Sequence, residues 1–129
     1  MIVLRLPLPP SVNSYQRNAR VAVGWNIKNG KVVKTARGRR YTTREANQWK
    51  QDAGWEINKQ LGAHRPLTGD LCMTVTMQRR GDIDNRVKPL ADLLQEHRIF
   101  ENDRQIVRLI VSFADIEGCE VQITQAQRL

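Results

Sequence analysis

Two carboxylates lie one residue apart in the stretch RRGDIDNRVKPLADLL, which covers residues 79–94. If the chain stays extended there, the side chains of Asp82 and Asp84 point to the same side, about 6–7 Å apart. Each can then give one oxygen to a shared Mg²⁺ ion, which takes one or two carboxylates and fills its other positions with water and substrate phosphate oxygens. Such an ion polarises a phosphoryl group and lowers the pKa of bound water, so the pair is compatible with phosphodiester hydrolysis.

The same residues also fit a surface turn without a metal. Asp84 and Asn85 would then cap the following helix, and the neighbouring arginines would neutralise the acids. Zinc is not predicted, because the sequence has no cluster of His or Cys residues. The acidic pair alone leaves both the metal site and the structural turn open.

A third carboxylate, Asp103, is a candidate to join the pair. A helix of about 10 residues carries the chain roughly 15 Å away. The loop from Ile99 to Asp103 can return at most about 17 Å when it is extended. Asp103 can therefore just reach the pair, provided that the loop runs back along the helix.

The positive charge of the chain is concentrated in one segment. The formal net charge is +8, and residues 14–50 hold ten Lys and Arg residues against one acid, Glu45. A concentrated basic segment favours the binding of nucleic acid. The alternative is a solvated loop whose cations keep the protein in solution.

Hydrophobic periodicity predicts the elements that position these residues. Strands are expected at 2–6, 70–79, 105–116 and 119–125, the last two joined by a tight turn at Glu117-Gly118. The Asn29-Gly30 dipeptide between two apolar runs predicts a β-hairpin.

Two helices are expected. One runs from about 43 to 61, with capping-box spacing between Thr42 and Glu45 and a stop near Gly62. The other begins at about Lys88, because Pro89 is tolerated only in a first turn. The predicted fold class is α+β, a mostly antiparallel β-sheet packed by two α-helices, in a single compact domain over residues 1–129.

Composition also bears on the compartment. No apolar run approaches the roughly 20 residues of a membrane span, and the N-terminus does not resemble a signal peptide. Cys72 and Cys119 have no CxxC spacing, which predicts buried free thiols in a reducing cytoplasm. His64 and His97 are expected to be surface residues.

Two segments resemble one family. The run GDIDNRVKPLADLLQEHRIFENDRQIV resembles the D-x-D-N-x-x-K…D core of the RusA-type Holliday-junction endonucleases, and PLPPSVNSYQR resembles the P-x-P-P-S-x-N-x-x-[YR] opening of that family. The segments lie about 70 residues apart and in the order of the family. The resemblance implies a small homodimeric resolvase that depends on Mg²⁺, with Mn²⁺ as a substitute, and that nicks two opposed strands of a four-way DNA junction.

The resemblance also assigns roles to residues. Asp82, Asp84 and Asp103 match the essential, metal-binding acids, and Lys88 matches the catalytic lysine. The chain departs from many relatives at Asn102, where a second acid is frequent, which leaves Asp103 as the sole carboxylate there.

Read from the residues, Lys88 can stabilise charge on the transferred phosphoryl group or orient the attacking water. Its alternative role is a salt bridge to Asp84 or Asp92. Asp92 is interpreted as a partner of Lys88, and Asn85 as a turn former or helix cap, with a supporting metal ligand as the less favoured alternative. The residues predicted to contact DNA are Asn13, Tyr15, Arg17, Arg20, Lys34, Arg37, Arg39, Arg40, Arg79, Arg80 and Arg86.

The predicted function is Mg²⁺-dependent resolution of Holliday junctions by paired symmetric hydrolysis of phosphodiesters. Two alternatives remain, a non-catalytic DNA-binding protein and a general metal-dependent nuclease without junction selectivity. A nucleotide-sugar transferase that uses the two acids is disfavoured, because the sequence lacks a glycine-rich phosphate loop.

Overall fold

The structure, a computed structural model, describes residues 1–11, 16–19, 24–28, 31–35 and 39–126. Side chains are described for residues 1–11 and 43–126. The elements found in these ranges are β1 (Ile2–Leu6), β2 (Gln16–Ala19), β3 (Gly24–Lys28), β4 (Lys31–Thr35), β5 (Arg39–Thr42), α1 (Arg44–Leu61), β6 (Leu71–Gln78), α2 (Val87–Glu96), β7 (Ile106–Ala114) and β8 (Cys119–Gln125).

Four strands form the main sheet, in the order β1-β8-β6-β7. The β1–β8 and β8–β6 pairs are antiparallel, whereas β6 and β7 are parallel. The sheet is therefore mixed, and α2 lies in the crossover that a parallel pair requires. The predicted α+β class with two helices on a sheet is confirmed.

The last two strands form at the predicted places but do not pair with each other, because β6 lies between them. The connection over 115–118 passes the end of β6, where the main-chain N–H of Gln78 donates to the Gly118 carbonyl at 2.9 Å. The expectation of a simple tight turn between them was therefore wrong. Strand pairing is decided by which strand offers a free edge, and the local turn residues do not reveal that.

Helix α1 matches its prediction to within one residue. The N-cap is Thr43 rather than Thr42, and its hydroxyl accepts a hydrogen bond from the Ala46 N–H at 3.2 Å. Gly62 ends the helix with a positive φ of 64°. One face, which includes Trp49 and Ile57, is buried.

Helix α2 begins one residue before the predicted start and carries Pro89 in its first turn. Its buried face meets α1 and one face of the sheet in a single core. Along β6 the odd-numbered residues from Leu71 to Met77 are buried and their neighbours are half-buried, as expected when only one face of a sheet is covered.

The helices approach closely at Gly54, where a Cβ atom would lie 2.9 Å from the Nε2 atom of His97. His97 is half-buried, and the Nε2 atom of His64 lies 3.2 Å from the His97 carbonyl oxygen. Both histidines are therefore half-buried, less exposed than expected, because packing between helices is not visible in local spacing.

The basic segment supplies the four short strands. β2 pairs with β5, and β3 pairs with β4, both antiparallel. Lys28 lies opposite Lys31, so the strands of the predicted hairpin pair as expected, while Asn29 and Gly30 themselves lie outside the described residues.

The remaining composition-based expectations concern thiols and membranes. Cys72 and Cys119 are free, Cys119 is buried, and Cys72 is half-buried, so only one of the thiols is as buried as predicted. Burial raises the pKa of the Cys119 thiol to about 12. Among the described residues, no helix has the length and apolar character needed to cross a bilayer.

Candidate active site

Asp82 and Asp84 are exposed on a turn between β6 and α2, which we call the acidic turn (residues 81–85). The turn begins at Gly81, which has a φ of +67°. Glycine adopts a positive φ more readily than other residues, because glycine has no Cβ atom. The Asn85 side chain donates to the Asp82 carboxylate at 3.1 Å. The main-chain N–H groups of Asn85 and Val87 donate weakly to the carbonyls of Asp82 and Asp84, at 3.4 Å each.

Arg86 ties the acidic turn to the N-terminal segment. Its Nη1 atom donates to the Pro9 carbonyl at 2.5 Å, and its Nε atom donates to the Arg80 carbonyl at 3.2 Å. Partial burial and the charge of Arg80 lower the pKa of the Arg86 guanidinium, and Glu45 opposes that shift. These contacts give Arg86 a structural role, in addition to the DNA contact predicted for it.

The N-terminal segment is itself fixed to the core. The Trp49 Nε1 atom of α1 donates to the Pro7 carbonyl at 3.0 Å, and the Cys119 thiol lies 3.8 Å from the same oxygen. A chain of contacts therefore runs from α1 through Pro7 and Pro9 to Arg86. It brings the described start of the N-terminal motif, residues 7–11, next to Arg86 at the end of the acidic turn, although the two are far apart in sequence.

Lys88 lies in the first turn of α2, three residues after the end of the acidic turn. Its Nζ atom lies 3.0 Å from Asp92 Oδ1 and 3.9 Å from Asp103 Oδ2. The Lys88 side chain is 63% exposed and that of Asp103 40%, so these ion pairs contribute little to stability. The salt bridge to Asp92 is present, and Lys88 also reaches the third candidate acid.

Asp103 is anchored to α2 through its main-chain N–H group. Its N–H donates to the Gln95 side chain at 3.0 Å, so the loop runs back along α2 as required. Asp103 opens a short 3₁₀-helix, Asp103–Gln105, whose N-cap is Asn102. The Asn102 side chain accepts from the Arg104 N–H at 2.9 Å, which assigns a capping role to the residue that departs from the family pattern.

Gln105 fixes the same loop from the other side. Its Oε1 atom accepts from the N–H groups of Glu101 and Asn102, at 3.0 and 3.1 Å. Its Nε2 atom donates to the carbonyls of Leu67 and Gly69, at 2.9 and 3.0 Å. One side chain thus joins the loop before Asp103 to the segment that leads into β6.

The donor set suits a hard cation. The candidate ligands are carboxylates, which Mg²⁺ and Mn²⁺ prefer, and Asp82 and Asp84 are accessible to an incoming phosphate. Among the described residues, no three His, Cys, Asp or Glu side chains are grouped closely enough to hold a metal by themselves. This arrangement is compatible with Mg²⁺, which is usually bound by one or two carboxylates together with substrate phosphates rather than by an all-protein cage.

Few of the predicted DNA contacts lie where side chains are described. Arg79 and Arg80 are exposed beside the acidic turn, and the Arg79 guanidinium lies 5.2 Å from the centre of the Phe113 ring. Arg17, Lys34, Arg39 and Arg40 lie in described strands, but their side chains do not belong to the described part of the chain. Asn13, Tyr15, Arg20 and Arg37 lie outside the described residues altogether.

Sequence reasoning missed Gln95 and Gln105. Gln105 had a readable signal, because Asn102 and Gln105 have the spacing of a capping box. Gln95 had none, since its bond to Asp103 depends on how the loop folds back along α2.

Comparison with known proteins gave one match. The family model described as Endodeoxyribonuclease RusA matches residues 7–124, which is most of the chain and includes the acidic turn, Lys88 and Asp103. No curated protein matched the chain.

Proposed function

Because the chain belongs to the RusA family of endodeoxyribonucleases, we propose that it is a metal-dependent endonuclease that resolves Holliday junctions. The observation that carries the proposal is the position of Lys88. It lies three residues after the end of the exposed acidic turn, and its Nζ atom lies 3.9 Å from the Asp103 carboxylate. Lys88 therefore links the helix that follows the acidic turn to the loop that carries Asp103. A purely structural turn would not require Lys88 to reach a third acid.

Asp82, Asp84 and Asp103 would contribute carboxylate ligands to Mg²⁺, with Mn²⁺ as a substitute, and phosphate oxygens would complete the site, since no three acids of the described residues are grouped closely enough to hold an ion by themselves. When bound, the ion would polarise the scissile phosphoryl group and lower the pKa of a bound water molecule. The acidic turn offers its carboxylates to solvent, so a phosphate can approach them without displacing protein. Asn85 and Arg86 would keep the turn in one geometry during that approach.

Lys88 would supply positive charge where the phosphoryl oxygens become more negative. Asp92 and Asp103 orient its ammonium group. In the reaction, the oxygen of water bonds to phosphorus while the bond from phosphorus to the 3′ oxygen breaks. A proton passes to the departing oxygen, which leaves a 5′-phosphate and a 3′-hydroxyl.

The cations of residues 17–44 would supply affinity for the junction. Contacts from cations to phosphates release counterions, so binding should weaken steeply as salt is added. A four-way junction offers two equivalent strands, which a symmetric homodimer with two sites would match. DNA in the cytoplasm would be the substrate.

The proposal is tested by cleavage of a labelled four-way junction beside linear duplex of the same sequence, each with Mg²⁺ and with EDTA. Paired symmetric nicks on the junction alone, lost in EDTA, are the expected result. Cutting of both substrates would indicate a general nuclease instead. A junction that is bound yet stays intact with Mg²⁺ and with Mn²⁺ would show that the acids are structural.

A further inference from the structure

A groove lies between α1 and the free side of β1, at the opposite edge of the main sheet from β7. Leu6 and Pro7 line it on the β1 side, and Trp55 lines it on the α1 side. Trp55 is 70% exposed, more than any other large hydrophobic residue of the described chain except Met1. Single exposed apolar residues are common on proteins, so the meaning of Trp55 depends on the chemistry around its ring.

Two carboxylates flank Trp55 in this groove. Asp52 lies three residues before it and Glu56 one residue after it, and both line the groove. The Gln48 Nε2 atom donates to Asp52 Oδ1 at 3.0 Å, and the Gln60 Nε2 atom donates to Glu56 Oε2 at 2.8 Å. The ion pairs of the described residues involve neither acid. The glutamines therefore fix the two carboxylates without neutralising them.

Arg5 also lines the groove, but its ion pair is made elsewhere. Its neighbours Leu4 and Leu6 are buried in the core, so the Arg5 side chain points to the other face of the sheet. There its Nε atom lies 3.6 Å from Oε2 of Glu120, the residue opposite it on β8. The groove is therefore an acidic surface with an exposed aromatic ring, on a chain whose formal net charge is +8.

We propose that this groove binds an extended basic segment of a partner protein. A Lys or Arg side chain of the partner lies over the Trp55 ring between Asp52 and Glu56, and an apolar side chain two residues away packs on Leu6 and Pro7. A cation within about 6 Å of the ring centre of a tryptophan is attracted to the face of the ring. The carboxylates add to that attraction and repel phosphate groups, which disfavours nucleic acid as the occupant. The proposal goes beyond the nuclease activity and does not depend on it.

Gln60 determines how a partner segment can be held. Its side chain accepts from the Arg5 N–H at 2.8 Å and donates to the Arg5 carbonyl at 2.6 Å. The outer main chain of β1 is therefore occupied at this point, and a partner cannot simply add a strand to the sheet there. Side chains must supply the affinity, so the charge of the partner decides whether it binds.

The first test measures binding of a fluorescein-labelled peptide, SRSLSRS, by fluorescence anisotropy at low salt and without DNA. In an extended peptide its two arginines and its leucine lie on one face. The matched probe replaces both arginines with citrulline, which keeps the shape and removes the charge. The arginine peptide should bind at least about tenfold more tightly than the citrulline peptide, because the cation–π contact and two ion pairs are lost together. The arginine peptide should also protect Trp55 from quenching by acrylamide.

The second test uses variants of the groove with matched controls elsewhere. Trp55→Ala should weaken binding of the arginine peptide by about tenfold. Asp52→Asn combined with Glu56→Gln should weaken it by a similar factor, since each exposed ion pair is worth about two- to fivefold. Val107→Ala, at an apolar residue that is 57% exposed on β7, and Asp70→Asn, at an exposed acid before β6, should bind as the wild type does. Circular dichroism checks that each variant is folded.

The proposal is overturned if neither peptide binds, if both bind equally, or if the groove variants keep the affinity of the wild type. It is also overturned if Trp55→Ala weakens binding of junction DNA instead, because the ring would then stack on bases. These outcomes are separate from failure of the proposed function. The groove variants should cleave a junction as the wild type does, and a chain that cleaves no DNA should still bind the arginine peptide.

Discussion

The acidic turn and the Asp103 loop carry the candidate acids, and they are held by different parts of the molecule. The acidic turn is exposed and is fixed through Arg86 to the N-terminal segment. The Asp103 loop is partly buried and is fixed through Gln95 to α2 and through Gln105 to the segment before β6. Lys88 lies in the first turn of α2, after the acidic turn, and its Nζ atom reaches the Asp103 carboxylate at 3.9 Å.

This difference shows that the two regions that carry the candidate acids are supported independently, and that Lys88 contacts the second of them. A change in either anchor should disturb its own region first. A change in Lys88 or in an acid should disturb the chemistry without loosening either support. Variants of each kind can therefore separate positioning from catalysis.

The largest effect is expected for Asp→Asn at 82, 84 or 103. Each change removes a candidate metal ligand while keeping the shape, and cleavage should fall by roughly a thousandfold or more. Junction binding should persist or tighten, because a negative charge that repels phosphate is lost. Single-turnover cleavage and a gel-shift assay measure the two properties. Asp52→Asn, an exposed acid on α1, is the control and should cleave normally.

A titration with Mn²⁺, monitored by electron paramagnetic resonance, then compares the contributions of the acidic turn and of Asp103 to ion binding. If all three acids bind the ion, each variant should weaken its binding. Unchanged Mn²⁺ binding by Asp103→Asn alone would assign the ion to the acidic turn and leave Asp103 as a partner of Lys88. Cleavage at the wild-type rate by any one variant would remove that residue from the site.

A smaller loss, on the order of a hundredfold, is expected for Lys88→Gln, because one preorganised positive charge is removed from the transition state. Lys50→Gln provides a matched control, because it breaks a different ion pair. That pair joins α1 to α2, with Lys50 Nζ 3.1 Å from Glu96 Oε1. The control should cleave as the wild type does. Equal losses in both variants would mean that the ion pairs act through stability.

Arg86→Ala should have the next effect, roughly tenfold on cleavage, because the acidic turn loses its bonds to Pro9 and Arg80. Loss of these charge-assisted bonds should also lower the free energy of unfolding by about 1–2 kcal/mol. Arg86→Lys keeps the charge but cannot make both bonds, so it should restore junction binding without restoring the cleavage rate. Full rescue by Lys would instead identify Arg86 as a simple DNA contact.

The sequence was sufficient for the four strands of the main sheet, the β3–β4 hairpin and the two helices, because their patterns are local. It did not predict β2 or β5, and the role of the candidate acids stays a prediction. Alternation located β6, and Pro89 located the start of α2. Strand order was not readable, because it depends on which strands still have an unpaired edge in the folded sheet, and local sequence does not show that. The anchoring contacts could not be predicted either. Arg86 was predicted to contact DNA, and its hydrogen bond to Pro9 joins residues 77 positions apart.

The smallest effect, a few-fold loss of cleavage, is expected for Gln105→Glu, which acts on the Asp103 loop alone. A glutamate still accepts from the N–H groups of Glu101 and Asn102, but it cannot donate to the carbonyls of Leu67 and Gly69. Hydrogen exchange at the amides of 101–105 should quicken, whereas exchange at 81–85 should not change. Arg86→Ala should show the opposite pattern. If either variant loosened both segments equally, the two regions would share one support, and the division between them would have to be abandoned.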